Sequence, residues 1–464
     1  MKTSIEQLKE QALSLIEADD VNQLRIYLDE QHISDIEDLI DEIPEHAALI
    51  IDTLSIKRAI NVFRILDVPT QERVINKLSE EKLSEIINGL PPDDLTALFG
   101  ELGDSSLVDR LASLLSVEDR DEVSTLLSYP EDTIGRLMTP DFLAINKDYT
   151  VREALEYIRR NGKNYETIDV VYILDDKGVL IDDLRIRELL INDPETPISE
   201  LMDGRLISLK ALDPTEEGIK IFKMNNRVAL PVIDADRVLL GIVTIDDILW
   251  KADEEYSEDM QRIGGTQALD EPYLDLPIHK LIKKRAGWLI ILFVGELLTA
   301  SVMQYYEEQL AQVIVLAMFL PLMISSGGNS GSQASTLIIQ AMAMGEVKLR
   351  DWWQVFRREL VSGLSLGLIL GSLGLLRIFV WHSIFPDLYG EQWMLVAFTV
   401  ALSLVGIVMW GSLIGSMLPF LLRRLGADPA TSSAPFVATI VDVTGLIIYL
   451  GVASLIFGSI MHGG

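Results

Sequence analysis

The 464-residue sequence contains no cysteine, which removes disulfides, thiolate metal sites and thiol nucleophiles together. Positive charge is also scarce: 39 Lys and Arg stand against 70 Asp and Glu, a formal net charge of -31. A surface this negative repels phosphate at long range, so nucleic acid is excluded as a partner and cations are the natural counterpart. There is no GxxxxGK[ST] loop and no hydrolytic constellation, so the chain does not read as an enzyme. The start, MKTSIEQLKEQALSLIEADD, lacks the basic stretch and apolar core of a cleaved signal peptide, and none is expected.

What is present falls into two physically distinct regions. The first 275 residues hold 28 basic and 60 acidic side chains, whereas the remainder holds 11 and 10. An acidic, water-soluble half is thus followed by a nearly neutral, apolar one. Residues 1–130 carry apolar positions at spacings of three and four, with breaks such as LDVPTQER and NGLPPDDL every ten to fifteen residues. Short helices stacked as hairpins are predicted. In PPDDLTALF, Asp93 and Asp94 fall in a first helical turn, where the macrodipole favours acids; capping and metal binding both explain them.

Between Leu137 and Trp250 the sequence repeats itself after about sixty residues: LMTPDFLAINKDYTVREAL is echoed by LMDGRLISLKALDPTEEGI, and VYILDDKGVLIDDLRIRELL by LPVIDADRVLLGIVTIDDIL. Each copy reads as helix, strand, turn, strand and helix. Behind it lies an acid-rich helix, DDILWKADEEYSED, whose spacing places Glu255, Glu258 and Asp259 on one side, either as a solvated face or around a cation. The basic amphipathic run YLDLPIHKLIKKR then leads to the first apolar stretch.

Five membrane spans are predicted: 286–306, a span within the uncharged 311–345, 360–380, 393–422 and 435–460. Thirty-five residues in one helix would reach roughly 50 Å, so the glycine- and amide-rich middle of the second, SSGGNSGSQ, is expected to be irregular backbone lining a cavity. In the fifth span a single carboxylate, Asp442, interrupts SAPFVATIVDVTGLIIYLG. A charge at mid-bilayer costs roughly 2.5 to 3.5 kcal/mol on insertion scales and marks a functional position by default. Thr439 and Thr444 supply hydroxyls beside it, and the amides Asn329 and Gln333 complete the expected pore lining. Lys and Arg cluster before the first span, between the second and third, and between the fourth and fifth, while YYEEQ, HSIFPDLYGEQ and MHGG have none. The positive-inside rule then puts the acidic half in the cytoplasm and the C-terminus outside. Small residues Gly411, Gly415 and Ser416 along the fourth span suggest a dimer face.

The internal repeat resembles a tandem pair of cystathionine-beta-synthase (CBS) modules, a fold shared by many unrelated proteins. GGNSGSQASTLIIQAMAMGEVKLRDW, LPFLLRRLGADPA and PFVATIVDVTGLIIYL are similar to the membrane domain of MgtE-type magnesium channels, and the order of regions matches along essentially the whole chain. The resemblance implies a multi-domain membrane protein: an all-α superhelical cytoplasmic domain (1–130), an α/β tandem CBS domain (131–262), a connecting amphipathic plug helix (263–285) and a five-helix transmembrane pore domain (286–464). It further implies a homodimer in the bilayer of the cell membrane, Asp442 as the ion-selecting residue, and Mg2+ as both transported and closing ion. An adenine nucleotide is a candidate ligand of the CBS pair. The regulatory carboxylates carried over are Asp93, Glu216, Asp247, Glu255, Glu258, Asp259 and Asp428. Three positions depart from the family pattern: Ala434 and Ser332, where asparagine is usual, and Trp250, where an acid is possible. The competing class, a CBS-gated anion channel or nucleotide-regulated secondary transporter, would favour Arg or Lys rings over carboxylates.

Overall fold

The computed structural model describes residues 5–461 apart from 270–272, 275, 308–310 and 312. The YYEEQ connection and the MHGG end lie partly outside the described residues. The chain divides into two compact units, Met1–Asp253 and Glu254–Gly464.

The first unit begins with short helices from Ile5–Glu17 to Val117–Leu127. Each turns one apolar face inward, and Leu8, Leu24, Ile36, Ile50, Phe63, Val74, Leu83 and Leu95 share one core. Their starts are marked by side-chain caps, Asp20 on Gln23, Asp67 on Thr70 and Ser79 on Lys82, each satisfying a backbone N–H that the helix cannot.

The two sequence copies form two three-stranded sheets, β1 (Ala144–Asn146), β2 (Val170–Leu174) and β3 (Leu180–Arg185) in one, and β4 (Leu209–Lys210), β5 (Ala229–Ile233) and β6 (Leu239–Thr244) in the other. In each the first pair is parallel and the second antiparallel. The hairpin turns repeat in detail, because Asp175 and Asp234 each accept two backbone N–H bonds across them, at 2.8 and 2.9 Å in both copies. Val170, Tyr172 and Leu180 of the first copy pack with Ala229, Leu239 and Ile242 of the second, so the copies close on a common core as the CBS resemblance implies.

Five helices of the second unit are long and apolar enough to cross a membrane: Ile278–Tyr305, Ile314–Ala343, Leu349–Ile384, Trp393–Arg424 and Ala434–Gly458. Three expectations are corrected. The SSGGNSGSQ run is not irregular backbone; it lies inside the unbroken helix Leu320–Ala343, preceded by a 3-10 segment, Ile314–Phe319. Its glycines serve close packing instead. A Cβ on Gly415 would stand 2.1 Å from the Gly331 carbonyl oxygen, and one on Gly411 2.5 Å from that of Gly327. Small residues four apart thus let the second and fourth spans meet backbone to backbone. Ser330 bonds the Ser412 hydroxyl at 2.8 Å in the same crossing. Gly411, Gly415 and Ser416 are consequently buried within one protomer and are not a dimer face. Finally, the basic run HKLIKKR is not part of a separate connecting helix. It forms the first turns of Ile278–Tyr305, while the acidic helix Ile245–Ile263 ends at Gly264 and Gly265, the latter at φ 78°.

A third contact follows the same rule. Gly363, Gly367, Gly371 and Gly374 of the third span are buried, with Cβ positions 2.8 to 3.0 Å from atoms of Met409, Ser412, Val405, Ala401 and Leu404 on the fourth. Gly415→Leu should therefore abolish folded protein, and Gly415→Ala should lower unfolding stability by about 1 to 3 kcal/mol, the range for overpacking. Thermal unfolding in detergent checks this, with Gly451→Ala, which meets nothing within 4 Å, as the unaffected control.

Candidate functional site

Asp442 is carried by the fifth-span helix, Ala434–Met461, at a half-buried position. The second span supplies its neighbour: a Cβ on Gly328 would lie 3.3 Å from Asp442 Oδ1, so a side chain there would crowd the carboxylate. From the first span the Glu296 side chain lies beside the Asp442 carboxyl. Thr439, one turn before Asp442, donates to the Pro435 carbonyl at 3.0 Å and its methyl fills the space over Gly295. Asn329 and Gln333 are both exposed, Asn329 donating to Ser325 Oγ at 3.4 Å. Thr444 is engaged elsewhere, accepting from Trp410 Nε1 at 2.9 Å and donating to its own helix.

Two of the positions that depart from the family pattern, Ser332 and Ala434, touch each other. Ser332 Oγ donates to the Ala434 carbonyl at 3.0 Å, and Ser335 Oγ donates to that of Ser432 at 2.9 Å. Short hydroxyls here staple the second span to the start of the fifth.

The other candidate lies in the first unit, where four elements converge. Asp93 and Asp94 begin the helix Pro92–Glu101, Arg64 ends Ile56–Ile65, Glu166 precedes β2, and Asp247 begins Ile245–Ile263. Arg64 pairs with Asp94 and stands 3.9 Å from Glu166. Thr244 donates to Asp247. Asp93 is 7 % exposed, and its Oδ1 has no donor. Burial, reinforced by the charges of Asp247, Asp94 and Glu166, holds the Asp93 pKa well above the usual carboxylate range. Burial raises Asp94 to about 7 despite Arg64, and Asp247 to about 6 despite the Thr244 bond. Glu166 is raised, also by burial.

Asp93 and Asp247 both enter this cluster, whereas Glu216 is exposed on the first turn of Thr215–Asn225. In the second unit Glu258 and Asp428 also meet, but through a guanidinium: Arg262 reaches Glu258 at 2.8 Å and Asp428 at 2.7 Å. Glu255 and Asp259, on the same turns, have contacts of their own. Among the described residues no three His, Asp or Glu groups are placed to hold a metal ion. A donor-less, buried Asp93 oxygen does fit a cation, since a cation would supply the missing partner.

Sequence reasoning missed Arg64 and Glu166, which join the cluster from 29 and 73 residues away from Asp93 in sequence with no periodic signal. Arg262 was detectable, because Glu258 precedes it by four residues on a helix.

Five membrane-length apolar helices in one chain with a CBS pair define a multi-pass membrane protein. The chain belongs to the MgtE family. Residues 320–452 match MgtE, described as a divalent cation transporter, residues 31–132 the MgtE intracellular N domain, and residues 134–192 and 198–253 the CBS domain. The Thermus thermophilus magnesium transporter MgtE is 36 % identical over 97 % of this chain and 99 % of its own, and that of Bacillus subtilis 28 % over 95 % of each. The crystal structure of the cytosolic domain of the Mg2+ channel MgtE in complex with ATP is 34 % identical, with a TM-score of 0.50, covering 52 % of this chain and 99 % of its own.

The raised carboxylates fix a sign for pH dependence. An unfolded Asp ionises near pH 3.9, so between about pH 4 and 7 the folded state holds protons that the unfolded state releases. Stability present below pH 4 is then lost as pH rises through about 7, by on the order of 3 kcal/mol. Thermal unfolding of the detergent-solubilised chain in EDTA should show this fall from pH 5 to 7.5. Asp93→Asn should flatten the profile, and millimolar Mg2+ should restore stability at pH 7.5 and not at pH 5.

Proposed function

We propose that this chain conducts Mg2+ into the cytoplasm, down its electrochemical gradient, through a pathway at which Asp442 faces the ion, and that internal Mg2+ closes it. The single observation carrying this reading is the position of Asp442, opposite a glycine and beside Glu296 within an otherwise apolar bundle. Magnesium gives up water reluctantly, so a pathway for it needs a carboxylate and amide or carbonyl oxygens that meet a hydrated ion. Asp442, Asn329, Gln333 and Thr439 offer that chemistry. The family match and the magnesium-transporting relatives support the choice of ion.

A homodimer follows from solvation. Glu296, Asn329 and Gln333 are exposed on the protomer's membrane helices, and polar groups cannot remain against hydrocarbon without large cost. A second copy covering that face would enclose Asp442 in a shared, hydrated path. The positive-inside pattern supports cytoplasmic soluble domains and an external C-terminus, in the cell membrane. Likeness to the ATP-bound cytosolic domain supports an adenine nucleotide as ligand of the CBS pair. The anion-channel alternative is dropped, because the ionisable groups at mid-span are carboxylates and the family is described as transporting divalent cations.

Closure by the transported ion has a physical basis in the acid cluster. Two carboxylates about 4 Å apart repel by roughly 4 kcal/mol at an effective dielectric of 20. Mg2+ between Asp93 and Asp247 would remove that repulsion, with Glu216, Glu255, Glu258, Asp259 and Asp428 as further regulatory positions. The ion shifts the population only by binding the closed state more tightly than the open one.

Asp442→Ala should lose Mg2+ flux in proteoliposomes while keeping wild-type thermal stability or exceeding it, since deleting a charge from the membrane relieves its insertion penalty. Full Mg2+ flux through the variant would refute the role.

A further inference from the structure

The chemistry at Asp428 differs from that of a carboxylate waiting for a metal. Its Oδ1 accepts the Ala430 backbone N–H at 2.8 Å and so caps the short turn Pro429–Thr431 that opens the fifth span. Its Oδ2 takes Arg262 Nη1 at 2.7 Å, and the other arm of that guanidinium, Nη2, goes to Glu258 at 2.8 Å. Both oxygens are engaged, and the positive charge between the two acids belongs to the chain itself. A planar guanidinium can hold two carboxylates in fixed directions, which an ammonium cannot do.

The surroundings make this a joint between elements. Arg262 lies in the last turn of Ile245–Ile263, and the chain then reverses at Gly264 and Gly265. A Cβ on Gly265 would meet Trp288 Cδ1 at 2.9 Å and Pro435 Cγ at 3.3 Å, so the turn sits against both the first and the fifth spans. Trp288 donates to Ser433 Oγ at 3.0 Å and packs on Phe436 with ring centroids 5.7 Å apart. Lys284 donates to the Ala268 carbonyl, and its own carbonyl accepts the Gln267 N–H at 3.3 Å. Pro435 and Phe436 begin the helix that carries Asp442 two turns later.

We propose that Arg262 is an ion-independent latch, a positioning residue that ties the end of the acidic helix to the loop opening the Asp442 helix. Divalent binding at Glu258 and Asp428 then requires displacement of Arg262, so the ion that closes the pathway acts first on other carboxylates and the latch transmits the helix position to the fifth span. This consequence rests on the proposed closure by internal Mg2+; the latch itself does not.

The test uses the full chain. In Mg2+-free detergent, backbone hydrogen exchange of residues 254–263 should rise about three- to fivefold in Arg262→Gln, the scale of a partly exposed ion-pair network, and Arg262→Lys should recover part of the protection. Asp428→Asn should raise exchange equally, with no further rise in the double variant. Unchanged exchange in Arg262→Gln overturns the latch, as do additive effects of the two substitutions. If exchange responds as stated and wild-type flux ignores internal Mg2+, the closure reading falls and the latch stands.

Discussion

Where Gly411 and Gly415 meet Gly327 and Gly331, two membrane helices touch through their backbones, and that contact sets the rest of the membrane unit. Hydrocarbon gives helices no hydrophobic reason to associate, so close van der Waals approach and buried hydroxyl pairs must hold them. The crossing turns one side of the second span inward, with Gly327, Ser330 and Gly331 buried, and leaves Asn329 and Gln333 on its outer side. Gly328, between these sides, is the residue against which Asp442 rests. A larger side chain at Gly328 would press on the carboxylate, and one at Gly415 would push the second span away from the fourth.

Much of this was legible in the sequence, and the failures share a cause. Hydropathy located all five spans, because the cost of exposing polar backbone to lipid leaves a strong signal in composition. The CBS pair was visible as a repeat, and Asp442 as a charge where charges are costly. SSGGNSGSQ misled for a physical reason: glycine and serine loosen an isolated helix, yet in a membrane they are also what close crossing requires. The sequence does not say which effect wins until the partner helix is known. Gly411 and Gly415 misled in the same way, since a small-residue stripe marks an interface without saying whether it lies within a chain or between copies.

The carboxylates show a second limit. Asp93 lies 29 residues from Arg64, 73 from Glu166 and 154 from Asp247 along the chain, separations with no helical periodicity, and Arg64 and Glu166 enter the cluster only through tertiary packing. Asp93 is buried with an orphan oxygen while its neighbours repel it, so the first unit holds an arrangement that a cation would relieve. Asp428 and Glu258 are neutralised by Arg262 instead. Acids that look equivalent in sequence therefore divide into a group short of positive charge and a group that already has it. A sensor for a plentiful ion is consistent with the first kind, since partly hydrated carboxylate sites bind magnesium weakly.

The central claim is that Mg2+ crosses this membrane unit passively, driven by its gradient and by the membrane potential. A divalent ion gains about 4.6 kcal/mol per 100 mV of inside-negative potential. The direct measurement is Mg2+ entry into sealed proteoliposomes of the purified chain, without ATP, at zero potential and at an imposed inside-negative potential, with chloride flux followed in parallel. The account predicts Mg2+ entry that accelerates with inside-negative potential and no protein-dependent chloride flux. Chloride flux without Mg2+ entry, or no ion movement at all, would contradict it.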